Sequence, residues 1–243
     1  AIQGAAAGLR RIAGRCRPDP QYGILEPDWI GVAAGGSALV VQWVRDWAPG
    51  VGGCSGLEAL DIETGAYLGR IANGHTHGDL GLLRDGTEVF YTVALASPED
   101  PNRPAVVYHE LPLAATMDPS EGARESVFLL TIPWGAAQHL SAQGPPGMVL
   151  IGSGAYDPSS SSLSEHPREA FLQELVLVFS DGSFRRLGQT RTSSCGYWAQ
   201  ARATLSPDGR YVAFASDWYA ETGQSGCNTR TMGAADLYLL QIR

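Results

Sequence analysis

His75 and His77 stand two residues apart, so in an extended segment their imidazoles point to the same side. His139, preceded by Gln138, offers a third imidazole. Gathered at one point, His75, His77 and His139 could hold a divalent metal ion. The alternative is that they are histidines bonded to loop backbone or lining a wet channel. Asp79 follows His77 closely, and the run Gly196-Tyr197-Trp198-Ala199-Gln200 leads into Arg202. The pairs Asp46-Trp47 and Asp217-Trp218 repeat one acid–indole dipeptide. Polar groups beside aromatic rings suit a peptide or an oligosaccharide, the rings covering apolar faces and the amides fixing orientation. Arg202 could pair with a sugar carboxylate or with structural aspartates. The Asp-Trp pairs have an equally plain reading as packing, with the indole covering the end of an element.

Other chemistries are excluded. All 17 basic residues are arginine, so a pyridoxal Schiff base, a Walker-type phosphate loop and a lysine nucleophile are ruled out. No G-x-S-x-G is present, so there is no serine-hydrolase elbow of that kind. The net charge is −8, which repels phosphate backbones and makes nucleic acid a poor partner. Asp61, Asp85 and Asp208 sit in turn sequences and are expected to hold backbone amides there. Ser159 to Ser162 reads as a loop. The uncharged stretch Trp29 to Val44 is broken by Gly35-Gly36-Ser37 and is too short to span a bilayer as a helix. The chain opens at Ala1 and meets Arg10-Arg11 before any long apolar run, so no intact signal peptide is visible and a processed or truncated start is expected.

What must position these side chains is a chain of 243 residues with 30 Gly and 15 Pro, rich in turns and poor in helical periodicity. Short β-rich runs recur in a fixed order, giving four units at approximately 29–72, 73–134, 135–192 and 197–243. The last has an inner strand at Ala201 to Leu205, the turn Ser206-Pro207-Asp208-Gly209-Arg210, a strand from Tyr211 to Ser216 and a third from Asp236 to Ile242. The others read as four-stranded antiparallel meanders. Gly8-Leu9-Arg10-Arg11-Ile12-Ala13 matches Ser183-Phe184-Arg185-Arg186-Leu187-Gly188, so residues 8–13 are expected as an outermost strand, completing the last unit or belonging to a preceding one. The fold class is all-β, a β-propeller of four-stranded blades. The four units either close by themselves or form part of a larger propeller.

The residues Leu205-Ser206-Pro207-Asp208-Gly209-Arg210-Tyr211-Val212-Ala213-Phe214-Ala215-Ser216-Asp217 resemble the repeat of the TolB-type, WD40-like β-propeller family. The second unit keeps Asp85-Gly86, whereas the third and first carry Pro146-Gly147 and Gly35-Gly36. The resemblance implies a fold and leaves the reaction open, because propellers of this class serve as binding scaffolds, lyases and gating domains. Ligands are expected where the loops leading into the inner strands and the loops joining second and third strands converge on the channel mouth. That face would carry His75, His77, Asp79, Gln138, His139, Tyr197, Trp198, Gln200 and Arg202, with Asp46, Trp47, Asp217 and Trp218 nearby. Within the class, oligogalacturonate lyases bind a metal through histidine and glutamine, to which Gln138-His139 is similar, although Ala201-Arg202 stands where another histidine is wanted.

The four cysteines show no C-x-x-C. Cys54 and Cys227 lie in matching loops after a second strand, and Cys16 and Cys195 in matching loops after an outermost one. In an up-and-down blade those two loops share a face, so Cys16–Cys54 and Cys195–Cys227 are expected as disulfides, the alternative being four buried thiols. Disulfides would place the chain outside the cytoplasm, periplasmic or secreted. The expected function is a non-catalytic scaffold engaging a protein, peptide or oligosaccharide at the channel mouth, without nucleic acid and without a membrane span. The rival is a metal-assisted carbohydrate-active enzyme using His75, His77 and His139, assisted by Arg202 or Tyr197.

Overall fold

The structure is a computed structural model that describes residues 26–74, 77–113, 118–134, 136, 139–153, 170–192, 200–216 and 236–242. Every regular element among them is a β-strand. The strands form antiparallel meanders in which each is hydrogen-bonded to its neighbour in sequence. The chain divides into two compact units, one containing the first sheet together with residues 112–124, the other containing three sheets.

The first unit holds β1 (Pro27–Val32), β2 (Ala38–Trp43), β3 (Leu57–Asp61) and β4 (Tyr67–Ala72), in that order across the sheet. On one face Val41, Trp43 and Leu60 pack with Leu39, Tyr67 and Cys54. The same face buries a charge pair. Glu58 on β3 and Arg70 on β4 meet at 2.9 Å. Arg70 also donates to the carbonyls of Gly52, Ser55, Pro119 and Glu121, so its guanidinium ties residues 118–124 to the sheet. Glu58 accepts from the Trp43 indole at 2.8 Å and from the backbone of Cys54 and Ser55. Burial pushes its carboxyl above the ordinary range, against the pull of Arg70 and these donors.

In the second unit, one sheet is β5 (Gly78–Leu82), β6 (Glu88–Ala94), β7 (Ala105–Glu110) and β8 (Val127–Thr131). The next is β9 (His139–Ser141), β10 (Met148–Gly152), β11 (Glu174–Phe179) and β12 (Phe184–Gln189). The third is β13 (Thr204–Leu205), β14 (Tyr211–Ser216) and β15 (Asp236–Gln241). Side chains alternate across a strand, and β10 and β11 use both faces. Val149, Ile151, Val176 and Val178 pack on Val89, Tyr91, Val106 and Leu129 of the sheet before. Leu150, Leu175 and Leu177 pack on Leu205, Val212 and Phe214 of the sheet after. A sheet buried on both faces needs continuous apolar strands, which is why these runs read as apolar throughout.

The innermost strands β5, β9 and β13 lie side by side, as in propeller blades. They are joined by side chain to backbone bonds at a regular interval. Asp79 accepts from the backbone of Ala142, 63 residues on, at 2.8 Å. Ser141 accepts from the backbone of Leu205, 64 residues on, at 3.2 Å. The turns are built as their sequences require. Gly86 and Gly209 adopt φ of +89° and +69°, conformations that a Cβ disfavours. Asp85 and Asp208 accept the backbone N–H two residues on; the Thr87 bonds hold the Asp85 carboxyl below the usual range, and the Ser206 hydroxyl, then the Arg210 N–H, do the same for Asp208. Asp61 accepts the backbone N–H of Thr64, three residues on. The inner strand expected over Ala201 to Leu205 is shorter, Thr204–Leu205, because the carbonyl of Gln200 accepts from the backbone of Arg202 and turns the chain. Residues 8–13, and the loop at Ser159 to Ser162, lie outside the described residues.

Candidate functional site

Successive connections of an antiparallel meander alternate ends, so the start of β5, the β6–β7 loop, the segment after β8 and the start of β9 share one end of the second unit. His77 immediately precedes β5, and its carbonyl accepts from the Thr92 hydroxyl of β6 at 2.7 Å. His139 opens β9. The adjacency of β5 and β9 brings the two imidazoles edge to face, with ring centroids 6.2 Å apart. Gln200 completes the group, its amide oxygen 2.7 Å from Nε2 of His139. That oxygen can only accept, so in this arrangement Nε2 carries the proton. Burial holds the His139 imidazole below the ordinary histidine range; the Gln200 bond opposes this, and the electrostatic influence of Arg202 and His77 adds to it.

Asp79 lies on the same strand, but its oxygens are engaged. They accept from the backbone of Leu80 and Ala142 and from the side-chain amide of Gln143. The carboxylate works as a stitch between sheets. The site is therefore composed of His77, His139, Gln200 and Arg202, drawn from three sheets of one unit.

Two residues at the same end were not singled out in the sequence. Trp134 is 50% exposed and Leu95 75% exposed. The Trp134 indole donates to the carbonyl of Asn102 at 2.8 Å, which orients the ring from the β6–β7 loop. That loop is itself braced. Ser97 meets Thr131 at 2.6 Å, Thr131 donates to Glu99 at 2.8 Å, and the backbone of Ile132 bonds to Pro104. The usable signal was an aromatic residue directly after an outermost strand, in a loop leading to the next inner strand.

Asp46 and Trp47 belong to the first unit. The Trp47 backbone donates to Asn73 at 2.7 Å. Its ring lies 5.3 Å from the Arg70 guanidinium and against Gly122, where an added Cβ would come within 2.9 Å of the indole. Trp47 therefore covers the buried charge pair, in keeping with the packing reading of this dipeptide, while Asp46 is exposed. Cys54 is the one cysteine among the described residues and is disulfide-bonded, its partner lying outside them. Also outside them are His75, Gln138, Tyr197, Trp198, Asp217, Trp218, Cys16, Cys195 and Cys227. Among the described residues no group of three or more His, Cys, Asp or Glu side chains is arranged to hold a metal ion. No helix among them is long and apolar enough to cross a membrane.

No protein-family model matches the chain, and no curated protein matches it. Among solved structures the chain is similar to the β-propeller domain of Cps50 (Swd1) from Myceliophteria thermophila, with 14% identity and a TM-score of 0.36. The match covers 77% of this chain and 47% of that one, so the chain spans about half the length of that structure.

Proposed function

We propose that the chain is a propeller-type binding module, without chemistry of its own, that engages a peptide segment of a partner protein at the inner-strand ends of its second unit. The observation that carries this reading is the division of labour around β5 and β9. The carboxylate that β5 carries next to His77, Asp79, is engaged by amides, and His77, His139, Gln200 and Arg202 are read as groups that recognise rather than react. Trp134 and Leu95 add exposed apolar surface at the same end, of the kind that side chains of a partner cover. An extracytoplasmic location and the pairs Cys16–Cys54 and Cys195–Cys227 belong to the same proposal; disulfides persist in such compartments.

The test is equilibrium binding of the purified chain to an immobilised peptide library, with a glycan array in parallel. Saturable peptide binding, lost in His139→Ala and Trp134→Ala at an unchanged unfolding midpoint, is the expected result. Metal at one ion per chain, lost in His139→Ala together with polysaccharide cleavage, would replace this reading with that of a metal-assisted carbohydrate-active enzyme.

A further inference from the structure

Independently of that reading, we propose that the outer edge of β15 is a second interaction surface, which takes an extended, arginine-bearing segment of a partner protein as the fourth strand of its sheet.

The sheet stops one strand short of its neighbours. The sheets that begin with β1, β5 and β9 have four strands each, whereas the last has β13, β14 and β15 and ends on β15. An outermost strand leaves N–H and C=O groups unpaired along its free side, and such edges are ordinarily blunted by charges, proline or a bulge. The pairs β3–β4, β7–β8 and β11–β12, which carry the other outer edges, each contain a register shift. In contrast, β15 pairs regularly with β14 over six residues, contains no proline, and carries one charge, Asp236 at its start. Leu237 is 80% exposed and Leu239 69% exposed. By its pairing β15 is a third strand, the counterpart of β11.

That counterpart shows what a fourth strand brings. Glu174 precedes Leu175, which lies opposite Gly152, and its carbonyl accepts from the backbone of Ser153. Asp236 precedes Leu237, which lies opposite Ala215, and pairs with Ser216. The two acids therefore hold one position. Glu174 is 5% exposed and is held by Arg186 of β12, whose Nε donates to it at 2.6 Å and whose Nη2 makes a second bond. Asp236 is exposed and has no side-chain partner among the described residues. Arg186 stands opposite Val176, whose counterpart on β15 is Tyr238.

A segment antiparallel to β15 with arginine opposite Tyr238 gives Asp236 the same two-bond partner. The residue before that arginine falls opposite Leu239, where an apolar side chain makes a cross-strand pair. In strand addition the main-chain bonds supply affinity and the side chains select the sequence. The net charge of −8 favours a basic segment over an acidic one. With Asp236, Leu237 and Leu239 exposed, the edge is assigned to a segment from outside the chain.

The experiment is a titration of the full chain, nitrogen-labelled at its amides, followed by NMR. The probe is a synthetic peptide of residues 183–189 carrying Arg185→Val, so that an apolar residue precedes the arginine; the control peptide carries Arg186→Gln as well. The probe is expected to shift the β15 amide signals saturably. A bond to a charged group is worth enough that the control should bind about tenfold more weakly. In the Asp236→Asn protein the two peptides should bind alike, which a merely apolar contact would not produce. Should that variant not fold, the peptide pair on the unaltered protein decides the matter. Equal binding of the two peptides to the unaltered protein, or no saturable shift in β15, overturns the proposal. Binding that appears only in Arg11→Glu would show the chain's own residues 8–13 holding the edge, and concentration-dependent dimerisation through β15 would show a second copy there. Either result overturns the assignment to a partner protein.

Discussion

Replacing Arg70 by methionine tests the energetics of the first unit most directly. Arg70 is 1% exposed and Glu58 2% exposed, and the guanidinium spends its donors on Glu58, Ser55, Gly52, Pro119 and Glu121. Methionine retains much of the volume of the aliphatic stem, so cavity formation contributes little to the change. What is lost is the charge beside a buried carboxylate, together with bonds to four backbone carbonyls. Breaking one side of a buried pair costs about 3–5 kcal/mol, because the remaining charge is uncompensated. Glu58 keeps three donors, Trp43, Cys54 and Ser55, which argues for the lower part of that range. For a chain of this size about 3 kcal/mol corresponds to a fall in midpoint of roughly 6–12 °C. Urea unfolding followed by tryptophan fluorescence is the assay, since Trp43 bonds to Glu58 and the Trp47 ring lies beside Arg70. The variants Glu58→Gln and the double Glu58→Gln/Arg70→Met complete a cycle. The double variant should cost less than the two single ones added together. A loss below about 1 kcal/mol for Arg70→Met, the size of an exposed ion pair, or a strictly additive cycle, would refute the argument that the pair is an energetic unit.

Asp79→Ala removes the acceptor for Ala142 and Gln143 and should cost about 2–3 kcal/mol in urea unfolding, as a buried N–H is left unmade. A change within about 0.5 kcal/mol would show that the inner strands do not rely on it. The His139 imidazole is held below its ordinary pKa, so near pH 6 the unfolded chain binds a proton that the folded chain does not. Stability should therefore rise with pH between the lowered folded value and the ordinary value of about 6.5, and a midpoint-against-pH curve should lose this rise in His139→Asn. The intact mass under non-reducing conditions should be lower than that of the reduced chain by two hydrogen atoms for each disulfide, and an unchanged mass would contradict the bond at Cys54.

The sequence made the sheets legible where burial on both faces forces a run of apolar residues, as at β10 and β11, and where a turn needs glycine with positive φ, as at Gly86 and Gly209. It was least informative where local turns and buried side chains depart from the strand pattern. Ala201 to Leu205 reads as a full strand, but the local bond from Arg202 to Gln200 diverts the first half. Glu58 and Arg70 stand in strands where charged residues ordinarily face solvent, and nothing in their spacing shows that residues 118–124 return to cover them. His77 and His139 were legible as a pair because both begin inner strands. The part of Asp79 was not, because its partner is an amide 63 residues away.

That partner explains why the repeat is so faint. Asp79 and Ser141 perform the same task, accepting the backbone N–H of a residue one sheet further along, at separations of 63 and 64 residues. One is a carboxylate and the other a hydroxyl, so the interval survives in space while the residue type does not. The consequence for function is a separation of roles along each inner strand. Positions such as Asp79 and Ser141 fix neighbouring sheets through backbone, whereas His77 and His139, at the start of the same strands, contact other side chains. Substitutions at His139 should leave folding nearly intact, while those at Asp79 should disturb both folding and the placement of the imidazoles. A site built in this way can change its ligand by changing residues at strand starts, without touching the bonds that hold the strands side by side.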